Sequence, residues 1–406
     1  SSHEALDIFE QEYQLNPDMT IEELCLVFYF SCYFKGQITE DPRFKTVLEK
    51  IFEKIDQVTP IYLFTLIHSL GIYCFEFGLE LPYDYQRQLG GIVLKNKDNF
   101  ELSQVSAAAW SCGQIISSDQ HRELREKVIS ELAQILLDNP EIIKDLDYAN
   151  IISTFSYCGI VDNPVLDKIV DTLNKNILKL GTEDLNIIAR LVLSLGEINL
   201  KDSKVLANIY DVIIRGQIHN FHVNDIASLI LVYADKMPNE LSYFRELIKN
   251  VHANISDISI TGYLNVWLAL AKYKVQAADV EKTLGVLKNG LFKNRIWKFK
   301  ELEPFELINI IISMSSIKVN DKEFLKHIVG ALEPRLKDLD NYDLVNLARA
   351  FLLYLKQFED FYVKVHAECC DRFNYLSEQD KKLLKEPFTK ARAHLPASPF
   401  IDPSLH

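Results

Sequence analysis

The feature that most constrains this chain is a helical hairpin that recurs about every 40 residues. It is clearest over residues 182–220. There Leu185, Ile188, Ala189, Val192 and Leu193 fall at the spacing of one helical stripe. After a short connection, Val205, Leu206, Ile209, Val212 and Ile213 draw a second stripe. Thr182 stands where an N-cap belongs, Glu183 and Asp184 put negative charge in the first turn, and Gly196 can end the helix. Asp202 offers the second cap, and Arg215 and Gly216 close the unit. Neither helix can bury its stripe alone, so the hairpin must stack on copies of itself.

Registering the chain on Leu185 gives equivalent anchors at Leu24, Leu63, Val105, Ala149, Ile226, Leu264, Leu307 and Leu344. Three residues after each anchor the chain is always apolar, from Val27 and Leu66 to Ile310 and Leu347. Thr59-Pro60 and Pro304 supply the proline favoured in a first helical turn. Second helices are expected over residues 42–58, 119–138, 164–180, 202–215, 239–252, 279–292, 321–336 and 359–373. The segment 81–94 is the least regular, because of Pro82, Gly90 and Gly91. The expected fold is all-α, a right-handed α-solenoid of about nine helical hairpins. An N-terminal extension over residues 1–19 precedes the solenoid (20–376), and a C-terminal helix with an extended tail (377–406) follows it.

Composition excludes several function classes. A net charge of −13 and a pI near 5.3 disfavour a protein that grips nucleic acid through phosphates over its whole surface. The seven cysteines lack zinc spacing and mostly fall on apolar helix faces, so they read as reduced core residues. No HExxH, P-loop or GxSxG element occurs. No catalytic residue, metal site or cofactor is therefore assigned, and the chain is not expected to be an enzyme. His68 reads as a core histidine. His219, His222 and Asp225 read as loop and capping groups rather than metal ligands. The most apolar run, Leu24–Phe34, is too short to span a bilayer, so no transmembrane segment is expected.

Two basic stretches are candidates for interaction. The first is the connection around Lys288, Lys293, Arg295, Trp297, Lys298 and Lys300, whose charges and aromatics suit a protein or lipid-headgroup contact and, less well, RNA. The second is Lys381, Lys382, Lys385, Lys390 and Arg392, leading into a tail that would dock along a partner.

The phrase Leu264-Asn265-Val266-Trp267-Leu268-Ala269-Leu270-Ala271-Lys272-Tyr273 resembles the first helix of octotricopeptide and heptatricopeptide repeats, the degenerate organellar repeats of RAP-domain and FAST-kinase-like proteins. Residues 344–350, 149–152 and 105–110 are similar. The 30 residues after Leu376 are too few and too proline-broken for a RAP domain. The resemblance implies a mitochondrial, matrix-side protein. With the acidic charge, it looks like a protist accessory subunit: a non-catalytic scaffold in a respiratory complex, ATP synthase or mitoribosome, whose partners are other protein subunits. The alternative it implies is an organellar RNA-binding regulator of transcript processing, stability or translation.

Overall fold

Helix starts are the most regular local structure in the chain. The computed structural model describes residues 2–15, 18–33, 41–273, 282–283, 285, 299–300 and 302–401. Among these the protein is all helical, with no strand. It forms two compact units, Ser1–Gly216 and Gln217–His406.

The first unit contains α1 (Ser2–Leu15), α2 (Ile21–Tyr33), α3 (Pro42–Glu53), α4 (Pro60–Phe77), α5 (Tyr83–Asn96), α6 (Leu102–Ile115), α7 (Arg122–Leu137), α8 (Asp145–Tyr157), α9 (Pro164–Asn176), α10 (Leu185–Glu197) and α11 (Lys204–Ile209). The even-numbered first helices pack in series, α2 on α4, α4 on α6, α6 on α8 and α8 on α10. Behind them α5 packs on α7, α7 on α9 and α9 on α11, while α1 covers α2 and α3. The second unit contains α12 (Val223–Lys236), α13 (Leu241–Ala253), α14 (Ile260–Lys272), α15 (Pro304–Ser316), α16 (Lys322–Leu332), α17 (Asn341–Phe351), α18 (Glu359–Asp371) and α19 (Glu378–Lys390). Its first helices α12, α14, α15, α17 and α19 also pack each on the next.

The caps explain why these helices begin where they do. Thr20 and Glu23 satisfy each other's backbone amides at 2.7 and 3.3 Å. Asp184, Ser259, Asp340 and Ser377 each accept from an amide two or three residues on. Glu303 is held by the Glu306 side chain at 2.9 Å. With Thr59, Glu101, Lys144 and His222, these ten first-helix caps lie 37–44 residues apart. Most are preceded by a buried apolar residue: Met19, Val58, Phe100, Phe221, Ile258, Leu302, Leu339 and Leu376. Those that follow a 3-10 turn have extended backbone, with φ near −70° and ψ near 140°. This apolar–cap pair fixes how the chain enters each first helix.

In the second unit an arginine ties the junction. Arg335 donates to the Leu302 and Phe299 carbonyls at 2.6 and 3.2 Å. Arg372, 37 residues later, donates to the Leu339 and Lys337 carbonyls at 2.5 and 2.9 Å and to Glu368 at 2.7 Å.

Several expectations are corrected. Asp184, not Thr182, caps α10, since Asp184 Oδ1 accepts the Asn186 amide at 3.0 Å. Residues 83–96 form a regular helix despite Gly90 and Gly91: Gly90 packs under Leu124, and Gly91 faces solvent. After α11 the chain widens into a π-helix over Tyr210–Ile214. The extra residue rotates the stripe, so Tyr210 and Ile214 are buried and Val212 is 46% exposed. Residues 387–401, the described part of the expected tail, are not extended. Pro387 lies inside α19, and Phe388, Ala391 and Phe400 are buried, with the Phe388 and Phe400 rings 5.2 Å apart. The second helix expected over residues 279–292 falls almost entirely outside the described residues.

Candidate functional site

Numbering each first helix from its cap shows which residues it offers to a ligand. The seventh and eighth positions after the cap are buried in all the first helices from α4 to α17: Leu66 and Ile67, Ala108 and Ala109, through to Leu347 and Ala348. The second, sixth, ninth and thirteenth positions lie opposite on the helical wheel and carry the solvent stripe. On α4 these are Ile61, Thr65, His68 and Ile72; on α8, Leu146, Asn150, Ser153 and Tyr157; on α10, Asn186, Arg190, Leu193 and Glu197. On α14 they are Thr261, Asn265, Leu268 and Lys272, and on α17 Tyr342, Asn346 and Arg349, with Leu353 in the 3-10 turn that follows. Polar members tie neighbouring helices together within each unit. Arg190 donates to Asn150 Oδ1 at 2.6 Å, Asn265 to Ser228 Oγ at 3.1 Å, and Lys272 pairs with Asp235.

The stripe changes character at the N-terminal end. The ninth positions of α2, α4 and α6 are Tyr29, His68 and Trp110, one aromatic ring per helix. Phe75 is 64% exposed and meets Trp110 edge-on at 5.7 Å, while Phe64 stacks on His68 at 5.5 Å. Ser111 gives its hydroxyl proton to the Ala107 carbonyl at 2.8 Å and presents its oxygen to His68 Nδ1 at 3.4 Å. Partial burial pushes the His68 imidazole below its ordinary pKa, which favours the neutral ring. Helices α2, α4, α6 and α8 contain no lysine or arginine, and their charges are Glu22, Glu23, Glu76, Asp145 and Asp147. Helix α4 is also long and apolar enough, by length and composition, to cross a membrane. Here it lies between α2 and α6 with Leu63, Leu66, Ile67, Leu70 and Tyr73 buried.

Lys288, Lys293, Arg295, Trp297 and Lys298 lie outside the described residues; Lys300 is described and exposed. In the C-terminal stretch Lys381 pairs with Glu378 and sits 4.7 Å over the Phe373 ring, and Lys390 pairs with Glu386. Lys382, Lys385 and Arg392 are exposed, so only part of that charge faces outward uncompensated.

Other groups suited to chemistry are placed for structure. His222 Nδ1 accepts the Asn224 amide at 3.3 Å and thereby caps α12, and burial pushes the nearby Asp225 carboxyl up. Among the described residues no three histidine, cysteine or carboxylate side chains are grouped to hold a metal. All seven cysteines are free thiols. Burial pushes Cys25, Cys74 and Cys112 up to about 12 and Cys158 to about 11, far from a thiolate at neutral pH. His366 Nε2 lies 3.4 Å from Cys370 Sγ, but burial lowers the imidazole and raises the thiol, the reverse of an activated pair. A cleft of about 250 Å³ beside α9 holds Asp167, Asp171, Lys201, Asp202 and Lys204, with Lys201 paired to Asp167 at 2.7 Å.

The aromatic column is the feature sequence reading passed over. The signal was available in the caps: counting nine residues from Thr20, Thr59 and Glu101 reaches Tyr29, His68 and Trp110. Comparison with protein-family models and with curated protein sequences returns no match.

Proposed function

We propose that this chain is a non-catalytic scaffold, a right-handed α-solenoid of hairpin repeats that binds protein neighbours along the row of first helices. The observation that carries the reading is the cap-registered solvent stripe, which recurs along the chain with one helix's worth of side chains every 37–44 residues. Series packing of first helices inside each unit supports stacked hairpins as the architecture. A stack of this kind works by shape: each repeat contributes a few side chains to an extended surface. Resemblance to organellar repeats and the acidic charge favour service as an accessory subunit of a large mitochondrial assembly.

The test is gentle native purification of the tagged protein from its own cells, followed by nuclease treatment, sizing and mass spectrometry. Stoichiometric co-migration with a large protein assembly is the expected result. Collapse to a small, nuclease-sensitive particle would overturn the reading in favour of an RNA-binding regulator.

A further inference from the structure

The N-terminal part of the first-helix row is built for a narrower class of partner than a general scaffold needs. We infer that the face formed by Tyr29, Ile61, His68, Ile72, Phe75 and Trp110 receives a basic amphipathic α-helix from a partner protein. The inference rests on the scaffold reading and specifies the chemistry of its ligand.

Three observations lead there. First, the face is apolar and open: Ile61 is 66% and Phe75 64% exposed, and α2, α4 and α6 each place one aromatic ring in its central column. Apolar area of this kind on adjacent helices marks a binding surface more often than isolated exposed residues do.

Second, the charge is of one sign. Helices α2, α4, α6 and α8 carry Glu22, Glu23, Glu76, Asp145 and Asp147 and no lysine or arginine. The bases of this unit's described residues lie mostly on the second helices and the turns that follow them, for example Arg43, Lys50, Arg87 and Lys127, and on first helices they are Arg190 of α10 and the exposed Lys144 that caps α8. A face without cations cannot neutralise phosphates, which disfavours RNA and anionic lipid. It complements lysine or arginine flanking an apolar stripe.

Third, the backbone of the row is helical, so it offers no sheet edge to pair with an extended peptide. An extended segment laid on this apolar face would bury amide and carbonyl groups without partners, whereas a helix satisfies its own. Packed helices lie about 8–10 Å apart, and two helical turns advance about 10.5 Å. A helix crossing the row would therefore meet successive helices with apolar residues about seven positions apart, and about 21 residues would cross three of them.

The experiment uses the full-length chain and two fluorescein-labelled 21-residue helical peptides. They share leucines at heptad a and d positions; one carries lysine on the flanks and the other glutamate. Anisotropy titration should show the lysine peptide binding at least tenfold more tightly than the glutamate peptide. The double substitution Ile61→Lys and Phe75→Lys should weaken that binding at least tenfold. As a check that does not depend on the variant folding, a photo-crosslinker on the lysine peptide should label α2, α4 or α6 of the native chain. Absence of binding, equal binding of both peptides, or crosslinks confined to other helices would overturn the proposal. So would displacement of the lysine peptide by a single-stranded RNA 20-mer, or by self-association of the chain. If the peptide fails to bind while the protein still co-migrates with an assembly, only this inference falls and the scaffold reading stands.

Discussion

Replacing Gly71 with alanine adds one methyl group where α4 meets α6. A Cβ built at Gly71 would lie 2.7 Å from both Cα and Cβ of Ser111 and 2.9 Å from its Oγ. Carbon atoms prefer about 3.5–4.0 Å, so the overlap is about 1 Å. Two of the three atoms belong to the Ser111 backbone and its first side-chain carbon, which no rotamer change can move, so the helices must part. Overpacking of this kind costs about 1–3 kcal/mol, and contact with backbone puts it near the upper end. Alanine returns about 1 kcal/mol of helix propensity, leaving a net loss of about 2 kcal/mol. At about 2–4 °C per kcal/mol for a unit of this size, melting should fall by about 4–8 °C. Gly91→Ala is the control: it lies inside α5 of the same unit, where an added Cβ meets nothing within 4 Å, and it should gain about 1 kcal/mol. Thermal melts, with hydrogen exchange over residues 60–137 to localise the effect, would read both. If Gly71→Ala is neutral, or moves in the same direction as Gly91→Ala, the close approach of α4 and α6 is wrong.

Other perturbations follow from the same contacts. Arg372→Ala should destabilise by about 2–3 kcal/mol through loss of its charge-assisted bonds to the Leu339 and Lys337 carbonyls. Arg372→Lys, lacking the planar fork, should recover less than half of that in urea titration. Burial holds the Cys112 thiol at about 12 in the folded state, against about 8.5 when unfolded. Its stabilising contribution is complete below about pH 8.5 and is lost as pH rises toward 12, so the fall in stability from pH 9 to 10.5 should be shallower in Cys112→Ala, by about 1.4 kcal/mol per pH unit at most. The depressed pKa of His68 works in the opposite direction. Its contribution is present above about pH 6.5 and is lost as pH falls through the folded value, so His68→Gln should flatten the stability profile between pH 7 and 5; an unchanged slope would contradict the burial assigned to the ring.

The helical character and the hairpin period were legible because apolar spacing and caps are local properties. Register was less secure. Apolar spacing alone selects Ala149, Leu185 and Leu264 as anchors, but the position equivalent to Leu63 belongs to Tyr148, Ile188 and Tyr263 when the helices are counted from their caps. Each has a second apolar residue one or three positions away, so periodicity tolerates a shift that a cap hydrogen bond does not. The π-helix at Tyr210–Ile214 left no local mark, because Val212 and Ile214 are equally apolar and the choice between them is made by packing. Proline reads as a breaker, yet Pro387 falls near the end of α19, where a single missing amide is tolerated and Phe388 and Phe400 supply the anchor. The aromatic column needed the corrected frame before its three rings could be lined up.

The junctions before Glu303, Asp340 and Ser377 have a consequence for how such a chain changes length. Each is a buried leucine followed by a cap: Leu302-Glu303, Leu339-Asp340 and Leu376-Ser377, spaced by 37 residues. The arginine grips at Arg335 and Arg372 keep the same spacing. Excising residues 340–376 would bring Leu339 directly before Ser377, restoring a leucine–cap junction; Arg335 would keep its grip on Leu302 and Phe299, while Arg372, which grips Leu339, would leave with the excised segment. Duplicating the same 37 residues would also give a leucine–cap junction. The segment is therefore a cassette with chemically alike ends, and what fixes its place in the stack is the set of rings it offers the segment that follows: Tyr362, His366 and Phe373 against Phe388 and Phe400.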